Sequence, residues 1–144
     1  MEIRDLAQVF ALHPEVDVLA NELSRKCKKH FLLKNLFASA RSIILHAIHN
    51  RLITKQKSST ILIVMDNADD AQYMYADLRT LSQDKDVYFF PASHRRRQKT
   101  DEAMVVQRTE VLSMLIMDKG RSKELMDKGY GEVIIVTYPE ALME

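Results

Sequence analysis

Residues 60–81 read Thr60-Ile-Leu-Ile-Val-Met-Asp-Asn-Ala-Asp-Asp-Ala-Gln-Tyr-Met-Tyr-Ala-Asp-Leu-Arg-Thr-Leu81. The apolar run at 61–65 is typical of a strand that is buried on both faces. Asn67 predicts a helix N-cap because its side chain can accept a backbone N–H bond, and Asp69 and Asp70 suit the positive end of a helix dipole. The apolar residues of this helix share one face: Ala71, Met74, Leu78 and Leu81. The stretch therefore predicts a strand joined to an amphipathic helix.

The same alternation extends to both sides of this unit. Further apolar runs at residues 31–33, 87–90 and 132–137 predict three more strands, and the segments between them have helical periodicity. Apolar strands separated by amphipathic helices predict an α/β fold, a doubly wound parallel sheet of about four strands with flanking helices. Residues 1–30 have helical periodicity that is broken at Pro14, so we expect a helical N-terminal extension before an α/β domain at 31–144.

Composition limits the classes of protein that fit. The chain has 144 residues, a net charge of +1 and one cysteine, which suits one domain and excludes a disulfide framework. No signal peptide opens the sequence and no apolar run is long enough to cross a membrane, so we expect a cytoplasmic protein with no membrane partner. A helix begins at Pro139, only a few residues before the last residue, which favours a fragment of a longer protein.

The first predicted strand-to-helix turn is a candidate ligand site, because open α/β sheets bind ligands beyond the carboxyl ends of their strands. Its length matches the phosphate loop G-x-x-x-x-G-K-[ST], with Ser42 at the last position. A Cβ atom obstructs the backbone conformations that glycine permits there, and Arg41 replaces the compact ammonium of lysine. We therefore expect a degenerate phosphate loop that binds no cofactor. The residues of the turn that carry this prediction are Asn35, Ala38, Ser39, Ala40, Arg41 and Ser42.

Two rival functions remain open on the residues alone. In the first, Arg41, Ser42 and Asp66 form the nucleotide site of an active enzyme domain, since an acidic residue at a strand end can hold magnesium. In the second, a basic loop contacts the phosphates of nucleic acid, although a solvated loop explains the same charges. The basic residues of that loop are Arg95, Arg96, Arg97 and Lys99.

Other reactive residues predict no site. His46 and His49 have the spacing of a helical metal pair, but no nearby carboxylate or thiolate completes a ligand set, so we expect them to face solvent. Cys27 has the pattern of a half-buried helical cysteine. We therefore expect no catalytic residue and no metal ligand in this chain.

Five segments of the chain follow one another in a pattern that is typical of a known family. They are the turn Phe37-Ala-Ser-Ala-Arg-Ser-Ile-Ile44, the dipeptide Asp77-Leu78, the strand end Phe89-Phe-Pro91, the helix segment Gln107-Arg-Thr-Glu-Val-Leu112, and the strand Glu132-Val-Ile-Ile-Val-Thr137 with Pro139 to Leu142. In this order the segments resemble the first domain of the bacterial transcription-repair coupling factors. The resemblance covers residues 31–142.

The resemblance implies a non-catalytic scaffold domain that is similar to the nucleotide-binding domain of the excision-repair helicase UvrB. The parent would be an ATP-dependent DNA translocase that removes stalled RNA polymerase from double-stranded DNA and recruits UvrA for nucleotide excision repair. In that family the first domain has lost its own nucleotide site, and ATP and magnesium act in distant motor domains. Ala38 replaces a glycine that is frequent in the family. No residue of this chain inherits the contact with UvrA, which belongs mainly to the next domain.

Overall fold

A computed structural model describes residues 3–25, 28–54, 60–83, 86–93, 102–120 and 133–144. The chain is a mixed α/β protein with a small parallel sheet and flanking helices. The elements of the described residues are α1 (Ile3–Ala11), α2 (Pro14–Leu23), α3 (Ala40–Thr54), β1 (Ile61–Val64), α4 (Ala68–Ser82), β2 (Val87–Phe89), α5 (Glu102–Gly120), β3 (Ile134–Thr137) and α6 (Pro139–Leu142).

The sheet has the strand order β1-β3-β2 over the described residues, and both pairings are parallel. Ile134 at the start of β3 lies between Ile61 of β1 and Val87 of β2, which sets the register. Every residue of the central strand β3 is buried. This burial is the physical reason for the apolar run at residues 134–136, and the parallel pairings confirm the prediction of a parallel sheet.

Helices cover the two faces of the sheet. On one face, α4 packs Met74 and Leu78 against Phe89, Val136 and Ile63. On the other face, α5 packs Val111 and Met114 against the opposite side chains of the strands. Those side chains are Tyr88, Phe90, Val133 and Ile135. Successive strand residues therefore serve different helices, as the pleat requires.

Local cap residues set the ends of several helices. The side chain of Asn67 accepts a hydrogen bond of 2.9 Å from the backbone N–H of Asp70, which confirms the predicted N-cap of α4. Pro14 and Pro139 stand in the first turns of α2 and α6, where a missing N–H is harmless. Gln83 ends α4 in the left-handed conformation that commonly follows a helix.

The two N-terminal helices pack on α3, a placement that the sequence did not predict. Val16 and Ala20 of α2 form a separate apolar cluster with Ala47, Ile48 and Leu52 of α3. Arg51 of α3 also donates a hydrogen bond of 3.1 Å to the carbonyl oxygen of Ala11 and forms an ion pair with Asp17. Helix α3 therefore contacts both N-terminal helices as well as α4.

The prediction of a strand at residues 31–33 is wrong. These residues form an irregular segment outside the sheet, and Leu32 is 78% exposed. A strand is stable only when a neighbour pairs with its backbone groups, and no described strand lies beside this segment. The described sheet consequently has three strands where the sequence predicts about four.

Candidate functional site

The turn at residues 35–42 borders a cavity at the carboxyl end of a strand. Its wall includes Ser39 and Arg41 from the turn, and Met65, which directly follows β1. Side chains of α4 complete the wall, and the cavity measures about 270 Å³. The residues that α4 contributes are Asp70, Tyr73, Met74 and Asp77. The structure therefore brings the predicted turn to the expected edge of the sheet, although the strand that ends there is β1.

The backbone of this turn takes two conformations that normally require glycine. Asn35 has a φ of 63° and Ala38 a φ of 46°. Asparagine tolerates the left-handed region, whereas the Cβ of alanine crowds the following carbonyl at an expense of about 1–2 kcal/mol. These are two of the positions at which we expect glycine in a functional phosphate loop, and here both residues carry a Cβ atom.

Two backbone N–H groups of the turn form hydrogen bonds within the turn itself. The N–H of Ala40 donates to the carbonyl oxygen of Phe37 at 3.0 Å, and the N–H of Arg41 donates to that of Ala38 at 3.4 Å. In a phosphate loop such N–H groups converge on the anion. Here they close the first turn of α3, and a phosphate would have to replace these hydrogen bonds.

The hydroxyl of Ser42 is hydrogen-bonded to a carboxylate. Its side chain is almost fully buried, and its hydroxyl donates a hydrogen bond of 2.8 Å to Oδ2 of Asp77 on α4. This hydroxyl is the group that could meet magnesium in a functional loop. Because it instead joins α3 to α4, the hydrogen bond gives Ser42 a structural role in this chain.

The charges around the cavity oppose a phosphate ligand. Asp70 and Asp77 contribute two carboxylates, against the one guanidinium of Arg41. The lining is therefore net negative, whereas a nucleotide triphosphate needs a positive site. Asp66 is exposed and does not line the cavity, so the structure does not bring it together with Arg41 and Ser42 in one site.

The prediction that His46 and His49 face solvent is wrong. His49 is 4% exposed and His46 is partly buried, because α3 packs against helices on more than one side. Burial lowers the pKa of both side chains; the charge of His46 lowers the pKa of His49 further, and Asp86 opposes this effect. The Nε2 atom of His49 is buried without a hydrogen-bond partner. No group of three or more potential metal ligands occurs among the described residues.

Some of the predicted residues cannot be placed. The basic cluster of Arg95, Arg96, Arg97 and Lys99 lies outside the residues that the structure describes, and so does Cys27. The structure therefore leaves the predictions for both of them as they stand. Among the described helices, none combines the length and the apolar character that crossing a bilayer requires.

Arg108 has a central role that sequence reasoning missed. Its Nη1 atom donates hydrogen bonds to the carbonyl oxygens of Pro91, at 2.9 Å, and Ala141, at 3.0 Å. The guanidinium lies 4.3 Å from the ring centroid of Phe90, and Glu144 is a more distant ion-pair partner. One side chain of α5 thus joins the ends of β2 and α6. The available sequence signal was an arginine among the inward-facing positions of an amphipathic helix.

We expect the substitution Ala38→Gly to raise the free energy of unfolding by about 1 kcal/mol, because glycine takes a positive φ without steric strain. Urea unfolding measures the change. The matched control is Ser39→Gly, since Ser39 is not among the residues with positive φ and should lose stability by about 0.5–1 kcal/mol. A loss of stability in Ala38→Gly equal to that of the control would contradict the strained turn.

Comparison with known protein families, with curated proteins and with solved structures finds no match to this chain. Its class accordingly rests on its own architecture, a mixed α/β protein with a parallel sheet and flanking helices.

Proposed function

We propose that the chain is a non-catalytic scaffold domain of a transcription-repair coupling factor in the cytoplasm, built on a doubly wound, degenerate phosphate-loop fold. The parent protein would be the ATP-dependent translocase that removes stalled RNA polymerase from damaged DNA and recruits UvrA. In this proposal, ATP and magnesium act in motor domains beyond these 144 residues. The domain itself supplies a surface and a support for its neighbours.

One observation carries the non-catalytic part of the proposal. The turn at 35–42 leads into α3 with positive φ at Asn35 and Ala38, and the N–H groups of Ala40 and Arg41 form hydrogen bonds within the turn. Asp77 holds the hydroxyl of Ser42, and the adjoining cavity is net negative. Each of these features opposes phosphate binding, and together they favour a scaffold over the rival nucleotide-dependent enzyme.

A titration of the chain with Mg-ATP in a calorimeter tests the lost site. We expect no saturable heat up to millimolar nucleotide, because phosphate would have to displace the turn's own hydrogen bonds. Arg41→Ala is the matched variant and should give the same flat trace. A micromolar Kd that Arg41→Ala abolishes would overturn the proposal in favour of the nucleotide-dependent domain.

The parent protein is tested separately. We expect the encoding gene to continue beyond Glu144 into segments that bind RNA polymerase and into a helicase-like motor. An isolated reading frame of 144 residues would contradict the assignment to a coupling factor, while leaving the calorimetric result on the turn unaffected.

A further inference from the structure

The strand β2 lies at one edge of the described sheet, and no described strand pairs with its outer side. On its inner side, the carbonyl oxygen of Asp86 accepts from the N–H of Ile134 at 2.8 Å, and the N–H of Phe90 donates to Val136 at 2.9 Å. In a parallel pair the bonding residues alternate along a strand, so residues 86, 88 and 90 bond to β3. The N–H and C=O groups of Val87 and Phe89 therefore point away from the sheet.

These outward groups face a cavity of about 280 Å³ between two helices. Tyr75 and Arg79 of α4 form one wall, and Gln107 and Glu110 of α5 form the other. The side chains of Val87 and Phe89 are buried in the core, so their backbone is what the edge presents to the cavity. An exposed strand edge is a template for a further strand, and three residues of β2 extend over roughly 10 Å.

The α5 wall and the α4 wall carry different side chains, so each wall favours a different type of residue in an added strand. A residue placed beside Tyr88 would project toward α5, because Tyr88 packs on the α5 face of the sheet. There it would meet the carboxylate of Glu110 and the amide of Gln107. A basic side chain suits that position.

Residues on either side of this basic position would project toward α4. They would meet the ring of Tyr75, which already lies near Arg79, at 5.5 Å from its guanidinium, and near the ring of Phe89. Apolar side chains suit that wall. Over the whole cavity, the carboxylates of Asp86 and Glu110 outnumber the guanidinium of Arg79, so the net charge of the lining also favours a basic occupant.

We propose that the free edge of β2 binds an extended peptide segment of a protein partner, with the pattern apolar–basic–apolar, as an added strand of the sheet. Backbone hydrogen bonds to Val87 and Phe89 supply the affinity, and the walls supplied by α4 and α5 select the side chains. The surface is separate from the cavity beside residues 35–42, and the proposal stands whether or not the scaffold function does.

The first test uses the isotope-labelled chain and the peptide acetyl-Thr-Val-Lys-Val-Thr-amide. We expect saturable NMR shift changes at the backbone amides of Val87 and Phe89, and none at Leu62 and Val64 on the opposite edge of the sheet. The control peptide is N-methylated at its three central amides, which removes the donors that a strand needs, and it should not bind. Before peptide is added, the amides of Val87 and Phe89 should exchange with solvent faster than that of Tyr88.

A charge exchange tests the side-chain selection. Glu110→Lys should weaken binding of the lysine peptide about fivefold, and replacing that lysine by glutamate should restore the affinity. Glu102→Lys, two turns away on the same helix, is the matched control and should leave binding unchanged; thermal unfolding verifies that each variant is folded.

Four outcomes would overturn the proposal. These are shift changes confined to other surfaces, equal binding of the N-methylated peptide, no response to the charge exchange, and protection of the Val87 and Phe89 amides from exchange in the free chain.

Discussion

Replacing Arg108 by alanine should lower the free energy of unfolding by about 3 kcal/mol. The substitution removes two charge-assisted hydrogen bonds, to the carbonyl oxygens of Pro91 and Ala141. It also removes a guanidinium that lies over the ring of Phe90. Because the side chain is mostly buried, water only partly replaces these contacts. Urea unfolding of the variant and the unmodified chain at pH 7.5 measures the difference.

Two further variants separate the geometry of Arg108 from its charge. Arg108→Lys keeps the positive charge but lacks the planar fork that faces two carbonyl oxygens and an aromatic ring together. We expect it to recover less than half of the lost stability. Thr109→Ala is the neighbouring control, because Thr109 is exposed and bonds only within its own helix, and it should change stability by less than about 0.5 kcal/mol. A value for Arg108→Ala within that range would refute the role of this side chain.

Besides Arg108, several other hydrogen bonds join the segment after β2 to the last residues of the chain. Thr137 donates a hydrogen bond to the carbonyl oxygen of Phe90, and the hydroxyl of Tyr138 accepts one from the N–H of Ala92. Glu144 accepts hydrogen bonds from the hydroxyl and the N–H of Ser93. The segment after β2 is therefore tied to the end of the chain by several independent bonds. These bonds hold Ser93 beside Glu144, close to the end of α6.

Local signals in the sequence predicted much of the fold. The apolar runs that became β1, β2 and β3 needed only their own residues to be recognised, and so did the N-cap Asn67. The strand at residues 31–33 failed because strand formation depends on a partner that a short apolar run cannot specify. The packing of α1 and α2 on α3 could not be predicted from local sequence either, since it depends on contacts between distant segments.

In the candidate site as well, the sequence predicted the local features and missed those that depend on distant residues. The sequence predicted a turn without glycine at 35–42, because residue type is a local property, but it did not predict that Asn35 and Ala38 take a positive φ. It did not predict the hydrogen bond between Ser42 and Asp77, whose residues are 35 positions apart. The burial of His49 was missed although a signal existed. Apolar residues stand on several sides of α3, which is typical of a helix that packs on more than one face.

The buried histidines predict that the chain loses stability on mild acidification. The pKa values of His46 and His49 are lowered by burial in the folded state, whereas both are near 6.5 in the unfolded chain. Below that pH the unfolded chain binds protons that the folded chain excludes, so the free energy of unfolding falls as the pH falls. Above about pH 7 both states are neutral and the effect is absent. For each histidine the slope cannot exceed about 1.4 kcal/mol per pH unit.

Urea unfolding at pH 7.5 and pH 5.5 measures this loss, and His49→Leu identifies its main source. Leucine cannot be protonated and leaves no unpaired nitrogen where the Nε2 atom of His49 now lies, so the variant should unfold with a smaller difference between the two pH values. The gain in the free energy of unfolding of His49→Leu over the unmodified chain should be larger at pH 5.5 than at pH 7.5. His30→Gln is the control, because His30 is exposed, and it should keep the full pH dependence. If His49→Leu retains the same loss of stability between pH 7.5 and 5.5, His49 is not the buried group that opposes protonation.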